Sequence, residues 1–558
     1  MASATTQYRG LNIAIRLDQN IVSIPSVSST ISDGIAIITG MNSVDEAKQL
    51  AADIRGGALP VELEDIEHNS VGATLGRDAL STSLKAGLIG FLLVLIFMII
   101  IYRVPGVVAS LSLIFYVGAE ILLLNLFNVT LTLPGIAGIL LSIGMAVDAN
   151  IVIYARINEE IRSGRGLRAA VTSGFRKALS AILDGNITTL IAAAVLWFLG
   201  SGSVKGFALT LAIGIVLSMF TALVLSNLLL KQVVEVLPEN NRLYTSIQFL
   251  DKVKSVKLVE KTRIWLIIPA VIVAIGLVFM IVRGMNLDTD FAGGTMVQID
   301  MEKEYDNQKL TQIVKEQTGD TNPMVQALGG TVQQNQVQIK VKEISTEQIE
   351  ALYAAIAREF GLKEDKSNLI SQSSISPTIS GEMQRTAITA TLVATILMLI
   401  YITIRFRDWR FGLSSIIALL HDVLIVMAVY AVFYIPVNSN FIAALLTIVG
   451  YSINNTIVVF DRIRENQRFY RPYQLNELAN DSIVQTMGRS LNTSITTVIM
   501  VLMIFIMGVD SIRWFAFPLL AGFIAGTYSS LFVASPVWVL FKKVGAKGNK
   551  KPARAAKK

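Results

Sequence analysis

Apolar stretches of about twenty residues alternate with short polar segments along most of the chain. That is the pattern of helices crossing a bilayer, whose hydrocarbon core needs roughly 20 apolar residues per helix. Eleven stretches qualify: 86–102, 107–127, 133–155, 179–199, 207–231, 264–283, 386–405, 411–435, 440–461, 491–508 and 514–541. Two regions break the pattern. Residues 285–375 predict strands near 291–300, 323–329, 335–342 and 367–374, with helices near 306–318 and 345–361. That order fits a ferredoxin-like βαββαβ unit. Residues 8–68 predict two strands joined at Asp18-Gln19-Asn20, a strand near 33–39, a helix at 43–57 and a strand near 61–68. This resembles the same unit without its opening strand and helix.

The halves repeat. Val71-Gly-Ala-Thr-Leu-Gly, before one span, echoes Ile375-Ser-Pro-Thr-Ile-Ser before another. Gly144-Met-Ala-Val-Asp-Ala-Asn-Ile-Val-Ile-Tyr-Ala-Arg-Ile echoes Gly450-Tyr-Ser-Ile-Asn-Asn-Thr-Ile-Val-Val-Phe-Asp-Arg-Ile, and Asp184-Gly-Asn-Ile-Thr-Thr echoes Asn492-Thr-Ser-Ile-Thr-Thr. Matching order and orientation imply a parallel duplication about an axis along the membrane normal. The fold class expected is a polytopic α-helical membrane protein, a pseudo-two-fold repeat with two small α+β ferredoxin-like exterior domains. The expected divisions are a partial exterior domain at 1–70, a first membrane half at 71–235 and a cytoplasmic linker at 236–263. A helix at 264–283, a second exterior domain at 284–376, a second bundle at 377–541 and a basic tail at 542–558 follow. The first half has no counterpart of helix 264–283, so the repeat predicts that a helix and the opening of the first exterior domain precede Met1.

Composition agrees with a membrane class. The 558 residues are 53% hydrophobic and only 16% charged, where soluble chains run near 25% charged, and the mean hydropathy is +0.58. The net charge of +7 is unevenly placed. Arg103, Arg156 to Lys177, Lys231 to Arg263, Arg405 to Arg410, Arg462 to Arg489 and the tail from Lys542 fall in alternate loops, while the intervening loops carry only Lys205 and Arg513. The positive-inside rule makes the basic loops and the C-terminus cytoplasmic and the two domains exterior. The tail then faces anionic lipid or a ribosomal surface, with no nucleic-acid partner expected. With no cysteine there is no disulfide and no thiolate chemistry. Two histidines, His68 and His421, leave little room for a metal centre, so no metal and no cofactor is expected. The first sixty residues are polar and read as strands, with no signal peptide.

Ionisable groups inside a bilayer cost several kcal/mol and are functional suspects. Asp148 lies mid-span, with Asn150 two residues on, and Asn454 and Asn455 occupy the equivalent place in the second half. Asp184, Asn186, Thr188 and Thr189 open the next helix, and Arg489, Asn492, Thr493, Thr496 and Thr497 its counterpart; His421 and Asp422 lie within span 411–435. If these sets face the seam between halves, a carboxylate shielded from water there can take up and release a proton and alter helix packing as it does. The bland alternatives are a structural ion pair for Asp148 and ordinary interhelical hydrogen bonds for the Asn and Thr residues. Glycines 87, 90, 118, 135, 138, 144, 412 and 450 read as close-packing positions, and Arg156 to Arg162 and Arg462 to Arg468 as topology determinants.

At these residues the chain resembles the SecDF family, the fused SecD and SecF accessory subunit of bacterial Sec protein export, within the RND superfamily. The SecD-like stretch, Gly57 to Val234, includes Gly57-Ala-Leu-Pro-Val, Gly144-Met-Ala-Val-Asp-Ala-Asn and Asp184-Gly-Asn-Ile-Thr-Thr. The SecF-like stretch, Asn286 to Val539, includes Asn286-Leu-Asp-Thr-Asp-Phe-Ala-Gly-Gly-Thr, His421-Asp-Val, Gly450-Tyr-Ser-Ile-Asn-Asn-Thr, Phe460-Asp-Arg-Ile-Arg-Glu-Asn and Arg489-Ser-Leu-Asn-Thr-Ser. The resemblance implies a non-enzymatic subunit in the bacterial cytoplasmic membrane. Its partners are the SecYEG channel, unfolded preprotein and a YidC-type insertase, and the proton-motive force drives its exterior domain. The family's proton-relay carboxylate maps to Asp148 and its basic partner to Arg489. Its second carboxylate maps to Asn455, which is isosteric but cannot titrate. Asn150, Asp184, Asn454, Asn492, Thr496 and Asp422 are the expected supporting polar core. The resemblance also implies that the mobile head of the first exterior domain is missing. Two other readings compete: an RND-type small-molecule exporter, whose substrate pocket the small exterior domains house poorly, and a passive scaffold for membrane-protein insertion without ion coupling, a reading that Asn455 keeps alive.

Overall fold

A computed structural model describes residues 2–17, 20–31, scattered positions between 43 and 52, then 67–71, 73–237, 240–247, 257–321, 323–330, 333–363 and 366–548. The chain divides into two units, Met1–Ile66 and Glu67–Lys558. In the first, a short helix, Ala2–Gln7, precedes an antiparallel hairpin of β1 (Ile15–Leu17) and β2 (Asn20–Ser23), with Leu17 opposite Asn20. This is the hairpin expected at Asp18-Gln19-Asn20. The strand expected near 33–39 and most of the helix expected at 43–57 lie outside the described residues.

Among its described residues the second unit contains eleven helices long and apolar enough to cross a membrane. In the first half they are α1 (Ala73–Tyr102), α2 (Val104–Leu126), the pair α3 (Leu133–Ala146) and α4 (Asp148–Arg162), and α5 (Leu167–Leu199). The last is α6 (Gly202–Phe220) running through a π turn at Thr221–Leu225 into α7 (Ser226–Val236). The second half opens with α8 (Thr262–Arg283). After the exterior domain, whose helices are α9 (Asn307–Thr318) and α10 (Thr346–Phe360), come α11 (Pro377–Phe406), α12 (Trp409–Phe433), α13 (Ser439–Asn466) and α14 (Leu475–Met507). It closes with α15 (Asp510–Ser529), a π turn at Ser530–Ala534 and α16 (Ser535–Gly548). The two π turns fall at matching places, so the duplication extends to a backbone irregularity. Several helices outrun their apolar stretch. α5 begins twelve residues before the expected 179, and α14 sixteen before 491, because a helix continues past the hydrocarbon wherever its polar end is solvated or packed.

The chain between α8 and α11 supplies four strands of a five-stranded antiparallel sheet of order β3-β7-β4-β6-β5. Its strands are β3 (Glu67–Val71), β4 (Gly294–Asp300), β5 (Met324–Gly330), β6 (Gln333–Val341) and β7 (Leu369–Ile375). The last four, with α9 and α10, give the expected ferredoxin-like unit. Alternate residues of β4 and β6, Val297, Ile299, Val337 and Ile339, bury against Leu310, Val314, Leu352 and Ile356 of the helices. Ser345 and Gln348 close α10 with a capping box. β3 departs from expectation. It lies in a segment expected to complete the first exterior domain, but it pairs antiparallel with β7 from Glu67↔Ile375 to Val71↔Ser371, as a fifth strand of the second domain. Strand β7 had a free edge, and an unpaired edge is satisfied by any strand in reach.

This exterior domain is stapled to the bundle. Leu287 and Val437 form a parallel bridge, Asp288 N–H donates to the Val437 carbonyl at 3.0 Å, and Val437 N–H donates to the Asn286 carbonyl at 2.8 Å. The Asn286 side chain donates to the Tyr434 carbonyl, and Ser439 N–H, at the start of α13, donates to Asp290 at 2.7 Å. Burial raises the Asp290 carboxyl above the ordinary carboxylate range, against the pull of its Ser439 bonds. A raised acid stabilises the fold while protonated, and that contribution fades as pH climbs through its folded value. Thermal midpoints in detergent from about pH 4, near the unfolded value, to neutral should therefore favour wild type over Asp290→Asn most at the acid end, with the difference shrinking on the way up. A second prediction concerns α8, most of whose surface is exposed. It rests on α12 at Gly276, where an added methyl would overlap Ala428. Gly276→Leu should lower the thermal midpoint by several degrees, whereas Leu at neighbouring exposed Ile275 should not.

Candidate functional site

The repeated motifs meet each other across the seam. A Cβ on Gly144 would lie 3.2 Å from the Thr497 Cα, and one on Gly450 3.3 Å from the Thr189 Cα. The glycine of each half thus seats on the Ile-Thr-Thr segment of the other, and the two contacts are symmetry mates. Any larger residue would part the backbones, which is how small residues set membrane helix packing. Gly185 takes this further, since a side chain there would collide with Asn454.

This packing carries Asp148 into the interior. The central span breaks at Val147, and Asp148 is the first residue of α4, whereas α13 is continuous through the equivalent Asn454. Asp148 is 8% exposed and its Oδ1 has no hydrogen-bond partner among the described residues. Arg489, from the opposite half, is the charged group that acts on it. Its own Nε, like Nδ2 of Asn455, is buried without a hydrogen-bond partner. Tyr451 lies near enough to both Asp148 and the Asn455 side chain to feel them, so Asp148, Arg489 and Asn455 share one neighbourhood. Asp148 also opens on a cavity of ≈ 20 Å³ lined by Ser142, Asn186, Thr189, Ser218 and Asn454 together with apolar residues such as Val152 and Ile215, large enough for about one water.

The first residues of the two Ile-Thr-Thr motifs behave as a second symmetric pair. Asn492 donates to the Tyr102 hydroxyl of α1 at 2.9 Å. Its equivalent, Asp184, accepts from Tyr401 at 2.8 Å and from Arg405 Nε at 2.7 Å, both on α11 of the other half. Asp184 is thus committed to an ion pair.

Three expected members of the polar core sit elsewhere. Asp422 is fully buried within the second half, where it accepts from Ser529 at 2.8 Å and from Ser452, with His421 Nδ1 2.9 Å away. Asn150 accepts from Ser226 at 2.8 Å inside the first half. Thr496 bonds its own helix, donating to the Thr493 carbonyl at 2.8 Å, and Thr188 and Thr497 do the same. These threonines satisfy themselves within the helix instead of across it, as short hydroxyl side chains do.

At one end of the seam, Arg156, Glu159, Arg462 and Glu465 form a crossed square. Arg156 meets Glu159 at 2.9 Å and Glu465 at 3.0 Å; Arg462 meets Glu465 at 3.0 Å and Glu159 at 3.3 Å. Sequence reasoning assigned these arginines to topology alone and did not single out Glu120, which is fully buried on α2 and accepts from Ser142 at 2.8 Å. A charged residue inside span 107–127 was the available signal. Arg405 was hidden at a span end, where basic residues are commonplace.

The Asp184–Arg405 pair makes a prediction. Arg405→Ala strands a buried carboxylate and should destabilise the detergent-solubilised protein by about 3 kcal/mol, the range for breaking a buried pair. Adding Asp184→Asn should recover most of the loss, which a double-mutant cycle of unfolding midpoints reads directly.

The model of the family "Protein export membrane protein SecD/SecF, C-terminal" matches twice, at residues 56–236 and 356–544, one copy per half. A second model, "SecDF, P1 head subdomain", matches residues 1–61. That corrects the expectation of a ferredoxin-like base with the head missing: this segment is similar to the head. Among relatives, the protein translocase subunit SecDF of Bacillus subtilis is 35% identical, covering 93% of this chain and 72% of its own. That of Thermus thermophilus is 38% identical over 99% and 73%. The crystal structure of SecDF from Thermus thermophilus, titled a translocon-associated membrane protein, superposes with a TM-score of 0.82 at 36% identity, over 97% of this chain and 73% of that one. With its two SecD/SecF repeats, its eleven candidate spans and this likeness along nearly its whole length, the chain belongs to the SecDF family.

Proposed function

We propose that this chain assists Sec-dependent protein translocation, using the proton-motive force to help move unfolded polypeptide across the bacterial cytoplasmic membrane. The observation that carries the proton coupling is Asp148: a carboxyl shut away from bulk solvent, at the seam of two membrane halves, facing Arg489 and opening on a half-polar cavity. Gaining or losing a proton there changes the charge balance across the seam, and with it the preferred packing of the halves. A charge crossing 100 mV makes about 2.3 kcal/mol available, enough to bias a two-state arrangement roughly fifty-fold. The staple from residues 434–439 to 286–290 supports a route by which bundle motion reaches the exterior sheet.

The basic loops and tail support a cytoplasmic C-terminus with both exterior domains outside. The partners that follow are the SecYEG channel, the emerging preprotein and a YidC-type insertase, with no enzymatic step. Asn455 leaves Asp148 as the titratable member of the expected triad, and it keeps alive a passive insertion scaffold.

Translocation in proteoliposomes separates these readings. Wild type should complete preprotein export faster when a proton gradient is applied, and Asp148→Asn should lose that acceleration while retaining its basal rate. A wild type indifferent to the gradient would sink the motor and leave the scaffold.

A further inference from the structure

Among the described residues, the acidic side chains buried within the membrane helices are Glu120, Asp148, Glu160, Asp184 and Asp422, and Glu160 is held by Arg165 and Lys177. Asp184 is held by Arg405 and Asp422 stands against His421. Glu120 is different. No basic side chain pairs with it among the described residues, and its polar neighbours are the Ser142 and Tyr116 hydroxyls. All three are essentially inaccessible, at 0% for Glu120, 0% for Tyr116 and 2% for Ser142.

Ser142 has two faces. Its hydroxyl donates to Glu120 Oε1 at 2.8 Å and accepts from Tyr116 at 2.9 Å. The same side chain lines the cavity onto which Asp148 opens. Glu120, Ser142, cavity and Asp148 are therefore contiguous. They are also ordered in depth. Glu120 lies six residues before the end of α2 at Leu126, while Ser142 and Asp148 lie nine and fifteen residues after the start of α3 at Leu133. At a rise of 1.5 Å per residue these are about 9, 14 and 22 Å from the 127–132 connection. Each step goes deeper by less than a helical turn or two.

We propose that Glu120 is the outer station of the proton path, exchanging protons with Asp148 through Ser142 and a water in the cavity. In the inward step, protonated Glu120 gives its proton to Ser142 Oγ as the Ser142 hydroxyl proton passes to the water. The water in turn passes one of its own protons to the Asp148 carboxylate. Glu120 is left ionised and Asp148 neutral, while serine and water are regenerated, so one proton has moved and no other bond has changed. Reversing the order moves it back. The 127–132 connection is then the side from which Glu120 refills. This rests on the proton-coupled reading above.

The test uses the full-length protein in proteoliposomes with the translocation channel, a preprotein and an imposed proton gradient. Wild type, Asp148→Asn, Glu120→Gln, Glu120→Asp and Ser142→Ala are compared. Glu120→Gln should lower the gradient-stimulated rate by about a hundredfold, at the low end for a positioned proton-transfer group, and leave the rate without a gradient unchanged. Glu120→Asp, which can still carry a proton, should restore part of it, and Ser142→Ala should lower it with both acids in place. If Asp148→Asn abolishes stimulation but Glu120→Gln or Ser142→Ala keeps the wild-type rate, the Glu120 path is overturned and the function stands. If wild type shows no stimulation, the proton-coupled reading itself fails. Should Glu120→Gln not accumulate as folded protein, Ser142→Ala decides the matter alone.

Discussion

A carboxyl in the middle of a bilayer is the constraint to which the rest of this molecule answers. Ionised and alone it would cost several kcal/mol or draw in water. Here it is walled off by two helical halves whose backbones approach within side-chain-free contact at Gly144 and Gly450. Those glycines exclude solvent, and exclusion lets the few remaining polar groups act on one another strongly. The cavity beside Asp148 interrupts that packing, and half of its lining residues are polar.

Duplication supplied the scaffold, and departures from the duplicate supplied the chemistry. Asp148 stands where the second half has Asn454, and Arg489 where the first half has Ala181. Asp184 faces Arg405 where its counterpart Asn492 faces Tyr102. In both pairs the acid comes from the first half and the base from the second, so the halves attract across the seam. A strictly symmetric seam would instead make each such contact twice, once in each direction. The crossed square of Arg156, Glu159, Arg462 and Glu465 solves the same problem symmetrically, by giving each half one charge of each sign.

The exterior sheet is joined to this machine through short-range backbone bonds, not through a flexible tether. Residues 286–290 and 434–439 share main-chain hydrogen bonds, so the start of α13 and the approach to β4 are held together. β3 leads directly toward α1 of the first half, since only one residue separates Val71 from Ala73. The sheet therefore touches the opening helix of one half and the central helix of the other.

The eleven spans, the repeat and the βαββαβ order were legible because each depends on local periodicity: twenty apolar residues, a recurring motif, an alternation of two against 3.6. Asp148, Arg489 and Asp184 stood out for a related reason, since a charge within an apolar run is a local contradiction. What the linear pattern left open was partnership. That Asp184 belongs to Arg405, that Asp422 and Asn150 turn into their own halves, that β3 joins the other domain's sheet and that Glu120 shares Ser142 with the cavity are facts about residues tens to hundreds of positions apart. Periodicity along a helix says which face is polar, and only the packing of helices against one another decides what that face meets.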